Sequence, residues 1–208
     1  MRIQRVNINV ENATCNSLKM KEKVLYPLYH SEEGHITKFY RDQFLKTVNL
    51  SKEDWVLSCD ASNNKTHPMY FWQLYSVLGP DKIKNIITRF YENVFQDTEE
   101  WFSKEFIEGG AIEYHIRRQT LFWYDVMGGG PHYKGGKMML HKHHRLVKNI
   151  MTTEGALRWM MHMHEALEYY NQYFSDDPRI LQALYQFLRF MMGDYAKEFY
   201  FEFGGSKL

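Results

Sequence analysis

Only two of the 208 residues are cysteines, Cys15 and Cys59, so a disulfide framework is excluded and a reducing compartment is expected. Neither sign of charge is in excess. Twenty-six basic residues stand against 25 acidic ones, mixed along the chain, for a net charge of +1. With no basic stripe to meet a phosphate backbone, nucleic acid is disfavoured as a partner. No run of 18 apolar residues occurs, so no membrane-spanning helix is expected. The N-terminus, MRIQRVNINVENATC, alternates apolar and polar residues where a secretory signal needs an apolar block, and a cytoplasmic location is the expectation. Repeats and low-complexity tracts are absent. So are the P-loop pattern, the G-x-S-x-G elbow and C-x-x-C-H.

Aromatic residues, by contrast, are plentiful at 16%, with 15 Tyr, 14 Phe and 5 Trp, and 12 Met accompany them. Such a mixture suits a flat apolar guest and equally an ordinary helical core.

Along the chain, residues 1–66 read as a separate preamble. They contain an alternating stretch at Ile3–Val10, which could form a strand, and amphipathic helical pieces over Ile36–Val48. The polar cluster Ser62–Thr66, followed by Pro68, reads as a linker to a second unit, residues 67–208. From Tyr70 onward the pattern is helical. Phe71, Leu74, Tyr75 and Leu78 share a face that ends at Gly79-Pro80. Ile83, Ile86, Ile87, Phe90, Tyr91 and Val94 mark the next helix, and Trp101, Phe102 and Phe106 a corner. A helix is expected from about Ala111 to Met127, then a glycine loop from Gly128 through Gly136. Thr152 or Thr153 opens a long helix, and the last one starts near Pro178 and runs towards Gly204-Gly205. The expected class is all-α.

Three imidazoles, His141, His143 and His144, fall within four residues. Zinc would need further ligands that the neighbourhood lacks, whereas an axial haem ligand needs one imidazole on an apolar face. Two helical registers offer one: Met139, His143, Leu146, Ile150, and Leu140, His144, Val147, Met151. Periodicity leaves both open.

A resemblance enters here. Arg89-Phe90-Tyr91, the run Asp97-Thr98-Glu99-Glu100-Trp101-Phe102 with Phe106, and Gly129-Gly130-Pro131 followed by Tyr133 are similar to pieces of the truncated, two-over-two haemoglobins. So are Gly135, Met139, Lys142, His143 and Leu146, and then Thr152, Arg158-Trp159, His162-Met163 and Ala166-Leu167. The pieces occur in the family's order over about Tyr70 to Met192, and the Glu-Glu-Trp-Phe run most resembles plant members of group II. The chain departs from the pattern in a loop one residue shorter between Pro131 and Tyr133, and in about three extra residues before Thr152.

The resemblance implies a globin-like two-over-two helical sandwich around a non-covalent haem b. His143 becomes the iron ligand, with His144 the alternative one residue on, and Lys142 and Leu146 beside it. Phe106, Phe122 and Trp123 would pack on the porphyrin. Tyr91, His115, Gln119 and Trp159 would form a polar distal cage. His115, Gln119, Phe122 and Trp123 also share one helical face, where His115 is expected to donate a hydrogen bond to the ligand and not to reach the iron. The function implied is binding of dioxygen, nitric oxide or other diatomic ligands at a five-coordinate iron. Nitric oxide dioxygenation or peroxide chemistry would need an external reductase, since no flavin or nicotinamide motif is present. A gas or redox sensor with residues 1–66 as its output element is the alternative, and a cofactor-free helical interaction module the third reading. Residues 1–66 are expected to be dispensable for haem binding, and the sequence leaves the oligomeric state open.

Overall fold

The computed structural model describes residues 29–134, 148–172, 174 and 177–204. Among these the regular structure is helical, with a single isolated parallel bridge between Glu32 and Gly129. The expected strand at Ile3–Val10 lies outside the described residues, as do His141, Lys142, His143, His144 and Leu146. The helices are α1 (His35–Thr47), α2 (Leu74–Phe95), α3 (Glu100–Gly109), α4 (Ile112–Val126), α5 (Thr153–Asn171) and α6 (Pro178–Phe199). No described helix is long and apolar enough to cross a membrane.

Helix α2 runs across α4 on one side and α5 on the other, and α5 pairs with α6. Its buried stripe, Ile83, Ile86, Ile87, Phe90, Tyr91 and Val94, has the spacing expected of a helix face turned to a core. The break at Gly79-Pro80 falls where the sequence places it. Gly79 has φ +71°, and the Tyr29 ring occupies the place a Cβ would take, so only glycine fits. Helix α5 begins at Thr152, whose hydroxyl accepts from the Gly155 N–H at 3.1 Å, and α6 at Asp177-Pro178. The last helix stops earlier than expected, at Phe199, because Tyr200 takes a left-handed conformation (φ 58°, ψ 44°) and reverses the chain.

The reading of residues 1–66 as a separate preamble requires correction for residues 29–66. Helix α1 buries Ile36, Tyr40, Phe44 and Leu45 in the same core as the later helices. Tyr40 packs edge-on against Phe122, Phe187 and Phe190, with ring centres 6.0–6.1 Å away. The N-terminus of α1 is fixed by Asp125 of α4. Its carboxylate accepts from the N–H groups of Ile36 (3.1 Å) and Thr37 (3.2 Å), which have no partner within the helix.

Nor is the polar run Ser62–Thr66 a free linker. The buried guanidinium of Arg179, on the first turn of α6, donates to the carbonyls of Ser62, Asn64 and His67 at 2.8–3.1 Å and also pairs with Asp177. Trp72, Gln73 and Arg41 likewise donate to carbonyls of Val56, Ser58, Asp60 and Leu57. Composition marks a polar segment as loop, but these carbonyls are satisfied by side chains of α1, α6 and the turn that leads into α2, which ties the loop down.

A chain truncated to begin at Thr66 is therefore expected to aggregate, because it uncovers Phe122, Phe187 and Phe190. In the full chain, Tyr40→Ala should cost about 3–5 kcal/mol of unfolding free energy in urea titration, as for other large aromatic deletions in cores. A soluble truncated chain with an unchanged unfolding midpoint would show that α1 contributes no packing.

Candidate functional site

A cavity opens among α2, α3, α4, α5 and α6. Tyr91, Phe102, Phe106, His115, Arg118, Gln119, Phe122, Tyr133, Trp159 and the α6 residues Met191, Met192 and Tyr195 are among those lining it. Six of the expected pocket residues thus come together: Tyr91, Phe106, His115, Gln119, Phe122 and Trp159.

Trp123 does not join them. It is fully buried at the edge of that face of α4, edge-on to Phe187 at 6.0 Å. At about 100° per residue, positions 115, 118, 119 and 122 cluster on one face of α4, while 123 lies about 80° from 115 and turns into the core. Arg118 belongs to that face and escaped the sequence reading, as did Phe102 and the α6 wall. A spacing rule that admits i+8 is too generous for a face that a cavity narrows.

The polar groups of the cavity fall into two kinds. Tyr91 is buried, yet its hydroxyl has no hydrogen-bond partner among the described residues, and neither has the Gln119 carboxamide or the Trp159 indole N–H. Burial raises the Tyr91 pKa above its ordinary value, so the phenol stays protonated and remains a donor. Such groups, placed on an otherwise apolar wall, leave hydrogen-bonding capacity for a guest.

His115 is of the other kind. Its Nε2–H donates to the Phe106 carbonyl at 2.9 Å, in the last turns of α3. Burial lowers its pKa, outweighing the Phe106 and Gly110 carbonyls, so the imidazole is neutral and has one N–H to give. That N–H is already used. The expectation that His115 donates to a bound ligand is corrected accordingly: it closes α3, and its ring flanks Tyr91 with centres 5.4 Å apart. A histidine on a polar cavity face cannot be told from a helix-capping one by sequence, because the accepting carbonyl is set by the α3–α4 corner.

Behind Trp159 a second polar cluster holds α5 to the α2–α3 corner. Arg158 pairs with Asp97, and His162 Nε2–H donates to the same carboxylate at 2.5 Å. Asp97's side chain is 1% exposed. Burial pushes its pKa up, but Arg158, the Glu99 amide and His162 outweigh burial and hold it at about 2. His164, two residues on, faces away and bonds the Tyr185 hydroxyl.

The proximal residues expected at 142, 143, 144 and 146 lie outside the described residues. Just beyond them, Ile150 and Met151, one from each of the two histidine registers, both line the cavity. The register choice therefore stays open.

Comparison with known proteins is consistent with this arrangement. Residues 73–193 match the family model for bacterial-like globins. The chain is 35% identical over 98 residues to "Two-on-two hemoglobin-3" of Arabidopsis thaliana, covering 46% of this chain and 54% of that protein. It is 34% identical over 97 residues to "Group 2 truncated hemoglobin 3-1" of Lotus japonicus, covering 46% and 56%. The matches thus span about half the length of these relatives.

Because Asp97 ionises with a pKa of about 2 when folded and near 4 when unfolded, its stabilising effect is complete above about pH 4 and is lost as pH falls towards 2. Asp97→Asn should lower stability at pH 7 by about 2 kcal/mol and flatten the loss between pH 4 and 2. Urea melts across that range check both, and an Asn variant with the wild-type acid profile would exclude this ion cluster as the cause.

Proposed function

The chain belongs to the bacterial-like globin family, and we propose that its cavity holds a haem b and binds dioxygen and other diatomic ligands. The observation that carries this reading is a set of polar groups without a partner among the described residues, on an aromatic wall: Tyr91, Gln119 and Trp159 beside Phe106 and Phe122. The family implies a haem and gas ligands, and the donor set fits both. Flat rings suit the macrocycle, and hydrogen-bond donors suit a ligand that draws negative charge.

In this reading Phe106, Phe122 and Trp159 pack on the haem, and His143 holds the iron, with Lys142 and Leu146 beside it. His144 is the alternative ligand. When bound, the haem supplies an iron with one open position for a gas molecule. Tyr91 then donates its hydroxyl proton into that space, with the Gln119 and Trp159 N–H groups as further donors. His115 acts indirectly, keeping α3 closed and the Tyr91 ring in place. The half-buried Phe106 and fully buried Phe102 keep water from the donors, which strengthens each hydrogen bond.

Donors gathered around one ligand favour retention over rapid exchange, which supports nitric oxide dioxygenation or peroxide chemistry driven by an external reductase. A second reading, a gas or redox sensor, draws on one contact. Tyr40 of α1 touches the cavity-lining Phe122, which links the ligand space to the N-terminal segment. Steady consumption of nitric oxide in the presence of a reductant supports the first reading. A single stoichiometric turnover favours the second.

Two measurements check the haem site. His143→Ala should abolish the Soret band while His144→Ala keeps it; the reverse outcome moves the iron ligand by one residue. Tyr91→Phe should speed dioxygen release by about tenfold, the effect of losing one strong donor, and His115→Leu by less. Equal or larger acceleration in His115→Leu would return His115 to the donor set.

A further inference from the structure

The end of α6 carries a cavity wall that lies beyond the region matched to the family, which stops at residue 193. After Phe199 the chain turns back on itself. Tyr200 is left-handed and 94% exposed, and both its N–H and that of Phe201 reach the Ala196 carbonyl, the latter at 3.1 Å. The reversal lays Phe199, Phe201 and Phe203 against the core in alternation, and Phe201 lines the cavity itself. The strap is then tied down, because the Glu202 N–H donates to the Thr153 hydroxyl at 3.1 Å, in the first turn of α5.

An exposed tyrosine in a conformation that favours glycine is followed by a phenylalanine turned inwards, and the partly buried Phe201 ring packs on the core and the cavity. We propose that Phe201 closes the cavity and sets the size of ligand it admits, excluding ligands longer than a diatomic. The proposal rests on the haem reading above. The ring stands on a short strap held by one hydrogen bond and by packing, so it restricts space in the cavity without taking part in hydrogen bonding to the ligand.

The test compares carbon monoxide with n-butyl isocyanide, both of which bind ferrous haem end-on, in the full-length haem-loaded protein. Phe201→Ala should raise the affinity for n-butyl isocyanide by about tenfold or more, the scale on which an apolar pocket discriminates size, and leave carbon monoxide little changed. Phe201→Trp should lower isocyanide affinity in the same assay, so the conclusion does not depend on the alanine variant folding well. Thr153→Val, which removes the strap's tie and keeps the side-chain shape, should speed isocyanide entry. An unchanged isocyanide-to-carbon-monoxide ratio in both Phe201 variants overturns the proposal and leaves the haem reading standing. A wild-type protein with no Soret band overturns both.

Discussion

Much of this molecule depends on one buried carboxylate. Asp125, near the end of α4, accepts from the Ile36 and Thr37 N–H groups at the start of α1 and from the Tyr133 N–H after the glycine loop. Burial still holds its pKa above the ordinary carboxylate value despite those donors. The start of α1, nearly ninety residues earlier, and the segment after the glycine loop thus meet at one side chain of α4. The meeting also explains why residue 34 is glycine: a Cβ there would collide with the Asp125 carboxylate and the Gly130 carbonyl. With α1 anchored, Tyr40 covers Phe122 from behind. With the loop anchored, Tyr133 reaches the cavity. The helix that forms one cavity wall is therefore braced at its C-terminal end by the two segments it holds.

The cavity separates two uses of polar side chains that look alike in a list. The buried Tyr91 and the partly buried Gln119 and Trp159 present hydrogen-bonding groups without a partner among the described residues, which leaves them available to a guest. His115, Arg118 and Glu105 also line the space, but each has a protein partner: the Phe106 carbonyl, the Tyr114 hydroxyl and the Asn149 amide. Satisfied groups shape the cavity, and unsatisfied groups supply its chemistry.

The Arg158–Asp97–His162 cluster gives a physical reason for two sequence pieces that otherwise appear unrelated. Asp97 begins the acidic run before α3, and Arg158 and His162 flank Trp159 at helical spacing on α5. Pairing across the gap sets how α5 meets the α2–α3 corner. It thereby sets where Trp159 enters the cavity against Phe90, with ring centres 4.8 Å apart. A buried ion pair adds little net stability compared with apolar packing, but breaking one side of it is costly, which makes it effective at fixing a register.

Among the described residues, sequence alone determined α1, α2, α4, α5 and the start of α6, the break at Gly79-Pro80 and the apolar stripe of α2, because periodicity and backbone-restricted residues act locally, whereas the corner read at Trp101, Phe102 and Phe106 is the helix α3. It also brought Tyr91, Phe106, Gln119, Phe122 and Trp159 into one pocket, through the order of short motifs. Only the tertiary structure decided the rest. Trp123 and Phe122 are adjacent on one helix, and which of them faces the cavity depends on how α4 is rotated against α6. His115 spends its single N–H on a carbonyl supplied by another helix. Ser62–Thr66, polar enough to read as a linker, is held by an arginine more than a hundred residues later. Phe201, an ordinary aromatic near the end of the chain, becomes a cavity wall through the left-handed turn at Tyr200. In each case the outcome depends on how separate elements pack against one another, and a periodic pattern within one element carries no information about that.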